Sequence, residues 1–326
     1  MRVGILGAGG IAELMAKTIS GMKDVECYAV ASRSIDKAAA FAKKWGIEKA
    51  CGSYEEMLGD EKVDLVYIAV PHSHHHQWTI EALNAGRNVL CEKSFAANTA
   101  QAEEMIALAE KKKLLLTEAI WTRYMPSRKI ISDLVSGGEI GKVVTVSSNL
   151  GYRIDMNERM VKPELAGGCL LDLTVYTLNF SSMVLGNDIK RIEASMVPTD
   201  TGVDGQDTVM LEYTDGTMAS MFTTMYALTD RTGLIAGTDG FITVQNINNP
   251  QRITVYEPDR ESYTVRKDIR VPEQITGYEY EVAACRKALE EGRIECDEMP
   301  HSETITIMKQ MDEIRKQFGI VFPFER

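Results

Sequence analysis

Four of the five histidines fall within six residues, Pro71-His72-Ser73-His74-His75-His76, and metal binding is the first chemistry such a cluster suggests. A metal needs side chains that converge on one point, whereas consecutive residues at a helix start diverge. No Cys or carboxylate motif nearby completes a ligand set, so no metal is expected. A second cluster is better ordered for chemistry. Gly7-Ala8-Gly9-Gly10-Ile11-Ala12 follows an apolar run at 3–6 and precedes a helical pattern. In that position a Gly-x-Gly turn lets a pyrophosphate approach the backbone, and the helix start offers free N–H groups and a positive dipole end. Gly7, Gly9, Gly10 and Ile11 are therefore the expected dinucleotide cradle, with Ala12 small enough for close helix–strand packing.

The next strand ends in Ala31-Ser32-Arg33-Ser34, with no carboxylate before Asp36. A site selective for NAD normally places a carboxylate there, against the ribose 2′-hydroxyl. Arg33 can instead pair with a 2′-phosphate and Ser32 can donate to it. NADP is the expected cofactor, with use of NAD left open.

A hydride transfer also needs a group that exchanges a proton with the substrate oxygen. Lys93, in Glu92-Lys93-Ser94, follows the carboxyl end of an apolar run at 88–91, the end at which parallel sheets bind ligands. A lysine titrates at about 10.4 when unperturbed, so work as a base requires burial or a neighbouring cation. Asp172 and Tyr176 are four apart in a helical pattern, hence on one face. If that face meets Lys93, three titratable groups surround one hydroxyl, and the lysine and phenol titrate as a unit. Singly, each residue has a plainer reading: a surface charge, a helix-start carboxylate, a packed phenol.

These groups need a scaffold. In the first 120 residues, strand patterns at 3–6, 25–31, 65–70, 88–91 and 114–118 alternate with helical patterns near 10–21, 35–45, 74–86 and 99–111. Near-continuous apolar strands separated by helices predict a parallel sheet covered on both faces. That is a doubly wound Rossmann domain, placed at 1–121. Short strands follow at 143–149, 189–197, 208–213, 218–225, 234–237, 241–245 and 253–256, with a hairpin turn at Thr214-Asp215-Gly216-Thr217. Helical periodicity returns near 170–185, 277–291 and 302–317, so 122–326 is expected to be an α+β domain with a mostly antiparallel sheet. In the strand at 218–225, Met218, Ser220, Phe222 and Thr224 share one face, and Ala219, Met221, Thr223 and Met225 the other. Helices can cover one face; a second subunit or an internal sandwich can cover the other.

The 326 residues, 44% hydrophobic and 25% charged, fit two globular domains. A net charge of −11 repels a phosphate backbone, and Lys111-Lys112-Lys113 sits at a predicted helix end, where cations meet the negative dipole end. No nucleic-acid partner is expected. Cys27, Cys51, Cys91, Cys169, Cys285 and Cys296 are scattered without a Cys-x-x-Cys pair and read as reduced thiols. No charged leader precedes the first strand, and the sequence reading finds no apolar run that approaches the roughly 20 residues of a spanning helix. A cytoplasmic protein without membrane contact is the expectation.

Gly86-Arg87-Asn88-Val89-Leu90-Cys91-Glu92-Lys93-Ser94 resembles the Glu-Lys-Pro segment of the glucose–fructose oxidoreductase and inositol dehydrogenase (Gfo/Idh/MocA) family. Glu118-Ala119-Ile120-Trp121-Thr122-Arg123-Tyr124-Met125-Pro126 and Gly167-Gly168-Cys169-Leu170-Leu171-Asp172-Leu173-Thr174-Val175-Tyr176 resemble its branch of dimeric dihydrodiol dehydrogenases and NADP-dependent D-xylose dehydrogenases. The resemblance implies that Lys93 and Tyr176 are the catalytic pair and that Asp172 binds substrate or relays a proton. It sets Pro71, His72 and His75 on a Pro-Asn-x-x-His element and, with Glu92 and Lys93, beside the cofactor. Trp121, Arg123 and Tyr152 match positions near the substrate pocket. It further implies a large open sheet in the second domain, whose face makes a homodimer or higher homo-oligomer.

Ser94 stands for the motif proline, Cys169 for a third glycine and Thr174 for a glycine in Asp-x-Gly-x-Tyr. Loss of the proline removes a φ restraint beside Lys93 and predicts a more loosely held lysine. None of the three removes a reactive group. The resemblance thus implies a dehydrogenase or reductase interconverting CH–OH and C=O on a sugar, polyol or vicinal diol. Two other classes share the fold: a non-catalytic NAD(P)-sensing regulator, disfavoured by retention of Lys93 and Tyr176, and a glycosidase with bound NAD, disfavoured by Ser32-Arg33.

Overall fold

The computed structural model describes residues 1–325, which form two compact units. The first holds β1 (Arg2–Leu6), α1 (Gly10–Ser20), β2 (Glu26–Ala31), α2 (Ile35–Trp45), β3 (Lys49–Cys51), α3 (Tyr54–Leu58), β4 (Leu65–Ile68), α4 (His75–Asn84), β5 (Asn88–Glu92), α5 (Thr99–Lys112) and β6 (Leu116–Ala119). Its six strands are all parallel, in the order β3-β2-β1-β4-β5-β6. β4 and β6 are buried along their whole length, as strands covered on both faces must be. The strand order reverses between β1 and β4, the switch point at which such sheets bind ligands. Local chemistry sets the helix ends. The side chains of Ser34 and Asn98 accept the N–H groups of Lys37 and Gln101 at the starts of α2 and α5. The three-lysine run closes α5, with Lys113 left-handed at φ 57°. β3 and α3 escaped the sequence reading because three and five residues are too short to carry a period.

The second unit holds α6 (Pro126–Ser136), β7 (Val143–Gly151), α7 (Glu158–Val161), α8 (Val175–Leu185), β8 (Ile189–Pro198), β9 (Asp204–Tyr213), β10 (Met218–Thr224), β11 (Gly233–Gly237), β12 (Phe241–Gln245), β13 (Arg252–Asp259) and β14 (Ser262–Arg270). Its eight strands run β14-β13-β12-β11-β7-β10-β9-β8, antiparallel except for β7 with β10. Side chains alternate along β10 as far as Thr223. On β10, Ala219, Met221 and Thr223 are buried, while Met218 and Phe222 are 39% and 46% exposed. α8 lies over the buried face, where Phe180 occupies the space a side chain at Gly233 would need. An internal sandwich around this strand is thus excluded; within one chain the other face is open. The hairpin turn joins β9 to β10 with Gly216 at φ +85°. β14 was not anticipated, because its sequence, Ser-Tyr-Thr-Val-Arg-Lys-Asp-Ile-Arg, is mostly solvated and shows no apolar face.

Two further helices are α9 (Glu279–Glu290) and α10 (His301–Phe318). The first division between the units falls at 124/125, close to the expected 121/122, but the chain later returns to the first unit. The first unit comprises Met1–Tyr124 and Gln274–Met308, and the second comprises Met125–Glu273 and the chain from Lys309. The return has a hydrogen-bond cause. β6 is an edge strand, and its Leu116 N–H donates to Ile294 O while His301 Nε2 lies 2.8 Å from Leu116 O. Packing adds to it through Val282, Cys285 and Ala288, the buried stripe of α9. The reading of apolar runs needs correction as well: Pro163–Leu185 is long and apolar enough to span a membrane by composition. Its apolar window is 83% buried, as befits the core helix of a folded unit.

Candidate active site

In the first unit, Gly7 turns the chain at φ +115°, and a Cβ there would run into Ala69 O. Gly9, extended, caps α1 without a side chain, and a Cβ added at Gly9 or Gly10 would meet nothing within 4 Å. The N–H groups of Gly10, Ile11 and Ala12 open the helix and have no intrahelical acceptor. Open space, spare donors and a positive dipole end at the switch point fit a pyrophosphate. At the end of β2, Ser32 is buried and Arg33 is exposed. Burial, and then the charge of Arg33, depress the His74 imidazole.

The four histidines do not converge on one point. His74 Nδ1 contacts Ser73 Oγ at 2.8 Å, His76 Nε2 reaches Glu104 Oε2 at 2.8 Å, and His72 is buried edge-on to His75. Among the described residues no three His, Cys, Asp or Glu side chains gather as a metal cage. His75 has a different duty. Fully buried at the start of α4, it sets Nδ1 2.8 Å from Ser94 O and Nε2 2.9 Å from Val70 O. Burial outweighs the pull of the two carbonyls and lowers its pKa to about 4. The ring is therefore neutral at pH 7 and donates to one carbonyl at a time.

Lys93 is the one half-exposed residue in the otherwise buried run 91–97. Every neighbour is tied. Glu92 accepts from the Tyr67 hydroxyl and from the Lys93 N–H, Ser94 O meets His75, and Phe95 N–H donates to Glu118 Oε1 at 3.1 Å. The Lys93–Ser94 peptide bond is cis. Hydrogen bonds through Glu92, His75 and Glu118 tie the backbone on both sides of Lys93, at the point where the family's proline ring would restrain φ. Sequence reasoning missed the acids behind this run. Burial pushes Glu118 up to about 7, against the Phe95 N–H and the Arg123 charge. Glu281 on α9 is fully buried with neither carboxyl oxygen hydrogen-bonded among the described residues, and burial raises it well above the carboxylate range. The missed signal was phase: Glu281 stands four and seven residues before the apolar Cys285 and Ala288. Trp121 stacks on Tyr278 at 4.0 Å, and Arg123, buried, pairs with Glu303.

In the second unit, Asp172 lies in a π turn, Leu170–Thr174, that runs into α8, and Tyr176 is the second residue of α8. The expected helix is present, but its first turn is widened, a feature that recurs at functional sites. Both side chains are buried. Arg159 on α7 grips the Asp172 carboxylate with both terminal nitrogens, at 2.9 and 3.2 Å. The Tyr152 hydroxyl accepts from Arg231 Nη1 at 3.3 Å and Asn248 Nδ2 at 3.1 Å.

Residues 1–120 match the model of an oxidoreductase family with an NAD-binding Rossmann fold, and residues 129–243 match the GFO/IDH/MocA C-terminal domain. The chain is 35% identical to the D-xylose 1-dehydrogenase (NADP(+)) of Hypocrea jecorina, over 99% of this chain and 93% of the relative. It is 34% identical to the trans-1,2-dihydrobenzene-1,2-diol dehydrogenase of Danio rerio, over 99% and 98%. A solved 3-ketoreductase from Actinomadura kijaniata, in complex with NADP and TDP-benzene, superposes with a TM-score of 0.86 over 97% of each chain at 24% identity, which speaks to the fold. Two family models that together span most of the chain, and relatives matched end to end, place it among the GFO/IDH/MocA oxidoreductases.

Proposed function

We propose that this protein is an NADP-preferring dehydrogenase or reductase that interconverts CH–OH and C=O on a sugar, polyol or vicinal diol. The carrying observation is the fixed run Glu92–Phe95 at the carboxyl end of β5, which leaves Lys93 half-exposed in the same unit as the open glycine cradle. The NADP and NADP(+) in the names of the similar proteins, and the exposed Arg33 without a neighbouring carboxylate, support the choice of cofactor.

Gly9, Gly10 and Ile11 would hold the pyrophosphate on backbone N–H groups; Ser32 and Arg33 would hold the 2′-phosphate. Pro71, His72, His75 and Glu92 would shape the nicotinamide side. When bound there, NADP would supply the acceptor for a hydride from the alcohol carbon, and NADPH the donor of one to the carbonyl. The hydroxyl proton passes to the Lys93 and Tyr176 pair as the C=O bond forms, and Asp172, held by Arg159, orients the substrate or relays that proton. Trp121, Arg123 and Tyr152 belong to the substrate side in this reading. We further propose a cytoplasmic homo-oligomer joined through the open face around Met218 and Phe222, whose exposed apolar groups support it.

The test follows absorbance at 340 nm with NADP and a panel of aldoses, inositols and diols. Lys93→Met should lower kcat by about 10²- to 10⁴-fold, the usual worth of a positioned acid–base group, with NADP affinity nearly unchanged. Unchanged turnover would remove Lys93 from the reaction.

A further inference from the structure

The second unit contains a pair of acids that the function above does not use. Asp204 and Asp207 on β9 are 2% and 1% exposed. Asp204 accepts the backbone N–H groups of Leu170 and Cys169, donors at the start of the π turn, which has no side-chain cap of its own. Gly168, at φ +121°, leaves the room: a Cβ there would strike the Asp204 carboxyl. Asp207 Oδ2 accepts from Thr174 Oγ1 at 2.8 Å, and Thr174 in turn meets Thr223 Oγ1 on β10 at 2.6 Å. The two acids therefore grip the π turn at both ends, 169–170 and 174, with Asp172 between the grips and Tyr176 two residues beyond.

Asp207 Oδ1 has no hydrogen-bond donor among the described residues, and the carboxyls of Asp207 and Asp204 lie within hydrogen-bonding reach of each other. Two buried carboxylates in contact cannot both ionise, so one proton lies between them. Its position follows from the surroundings. Asp204 faces N–H donors, which favour its charge, whereas Asp207 sees only hydroxyls and its acidic neighbour. Asp207 keeps the proton and donates to Asp204. The other titratable groups facing the pair are the Cys169 thiol, which donates to Gly205 O, and the Asp172 carboxylate with its Arg159 partner. The Tyr226 phenol stands next to Gly205.

We propose that Asp204 and Asp207 are positioning residues for the reaction: a clamp of two acids sharing one proton that fixes the π turn and the first turn of α8, and so sets where Asp172 and Tyr176 stand. This rests on the catalytic reading of Asp172 and Tyr176. Loss of the shared proton puts a second charge into a dry space and opens the clamp, so turnover falls on the alkaline side.

The experiment uses the full chain with NADP and the best substrate from the panel, comparing D204N, D207A and D207N with Y176F as reference. D204N turns an acceptor of two N–H groups into a partial donor, and D207A removes the bridge. Each should lower kcat by about 100-fold, the effect of a displacement near 1 Å, while NADP binding followed by fluorescence stays unchanged. D207N, whose amide donates to Asp204 as the acid does but cannot ionise, should recover most of that loss. Its alkaline limb should move up by about one pH unit relative to wild type. If D207A and D204N fold, bind NADP and turn over like wild type while Y176F is inactive, the clamp is overturned and the catalytic reading stands. If Y176F itself is fully active, the catalytic reading fails first, and the clamp with it. Should D207A not fold, D207N decides: an alkaline limb identical to wild type refutes the shared proton.

Discussion

The two units fix their chemical groups with buried titratable side chains of opposite kind. In the first, a neutral imidazole, His75, faces two backbone carbonyls, one at the end of β4 and one beside Lys93. In the second, a carboxylate, Asp204, faces two backbone N–H groups at the start of a helix. The difference follows from what each backbone leaves unsatisfied. A chain leaving a parallel strand for a loop has spare carbonyls, which call for a donor. A helix start has spare N–H groups, which call for an acceptor. Side chains chosen this way satisfy buried backbone without water, and both then carry pKa values displaced by burial. The lesson is that a buried histidine or aspartate near a site can serve the backbone rather than the substrate.

Breaking an anchor on each side sharpens this contrast, and the largest effect is expected in the second unit. Arg159→Met removes the two-pronged grip on Asp172 while leaving the Asp204 contacts in place. Steady-state kinetics should show kcat lower by about 100-fold, as for other small misplacements of a reacting group. The thermal midpoint should move little, since the Arg159 side chain is 41% exposed. A large drop in melting temperature with intact kcat would make the Arg159–Asp172 pair merely structural. The mirror experiment is His75→Ala. It leaves the carbonyls of Ser94 and Val70 without their buried partner, at a cost of about 1–3 kcal/mol in urea unfolding. Here stability should fall more than NADP affinity, because the glycine cradle is untouched.

The first unit was readable almost throughout, because strands buried on both faces appear as apolar runs and because Gly7, Gly9 and Gly10 sit where only a turn into a helix makes sense. The second was readable as a class, with seven of its eight strands located; β14 was lost to its solvated composition. What escaped was of one sort: polar residues inside. Asp207 is in phase with the inward Val209, Leu211 and Tyr213, and Glu281 with Cys285 and Ala288. A carboxylate at an apolar position is visible in the sequence, but its partners lie elsewhere in the chain, at Thr174 and Leu170 for the acid pair. The return of 274–308 to the first unit was hidden for the same reason, since the hydrogen bond from Leu116 to Ile294 spans a separation that no local pattern encodes.

The smallest effect is a pair of opposed slopes in stability against pH within the first unit. His75 has a folded pKa of about 4 against an ordinary 6.5. Between those values the unfolded chain binds the proton and the folded one does not, so stability rises with pH across that window. Glu118 has a folded pKa of about 7 against an ordinary 4.5. Between those values the folded chain holds the proton and the unfolded one has lost it, so stability falls as pH rises. The contributions offset each other between 4.5 and 6.5, so each masks the other across that range. Single variants uncover them. His75→Gln should leave a curve that declines toward neutral pH, and Glu118→Gln one that climbs, each by about 1 kcal/mol per pH unit in denaturant titrations. Parallel curves for the two variants would mean that the imidazole is charged in the folded state, and the account of how it serves two carbonyls would have to be reversed.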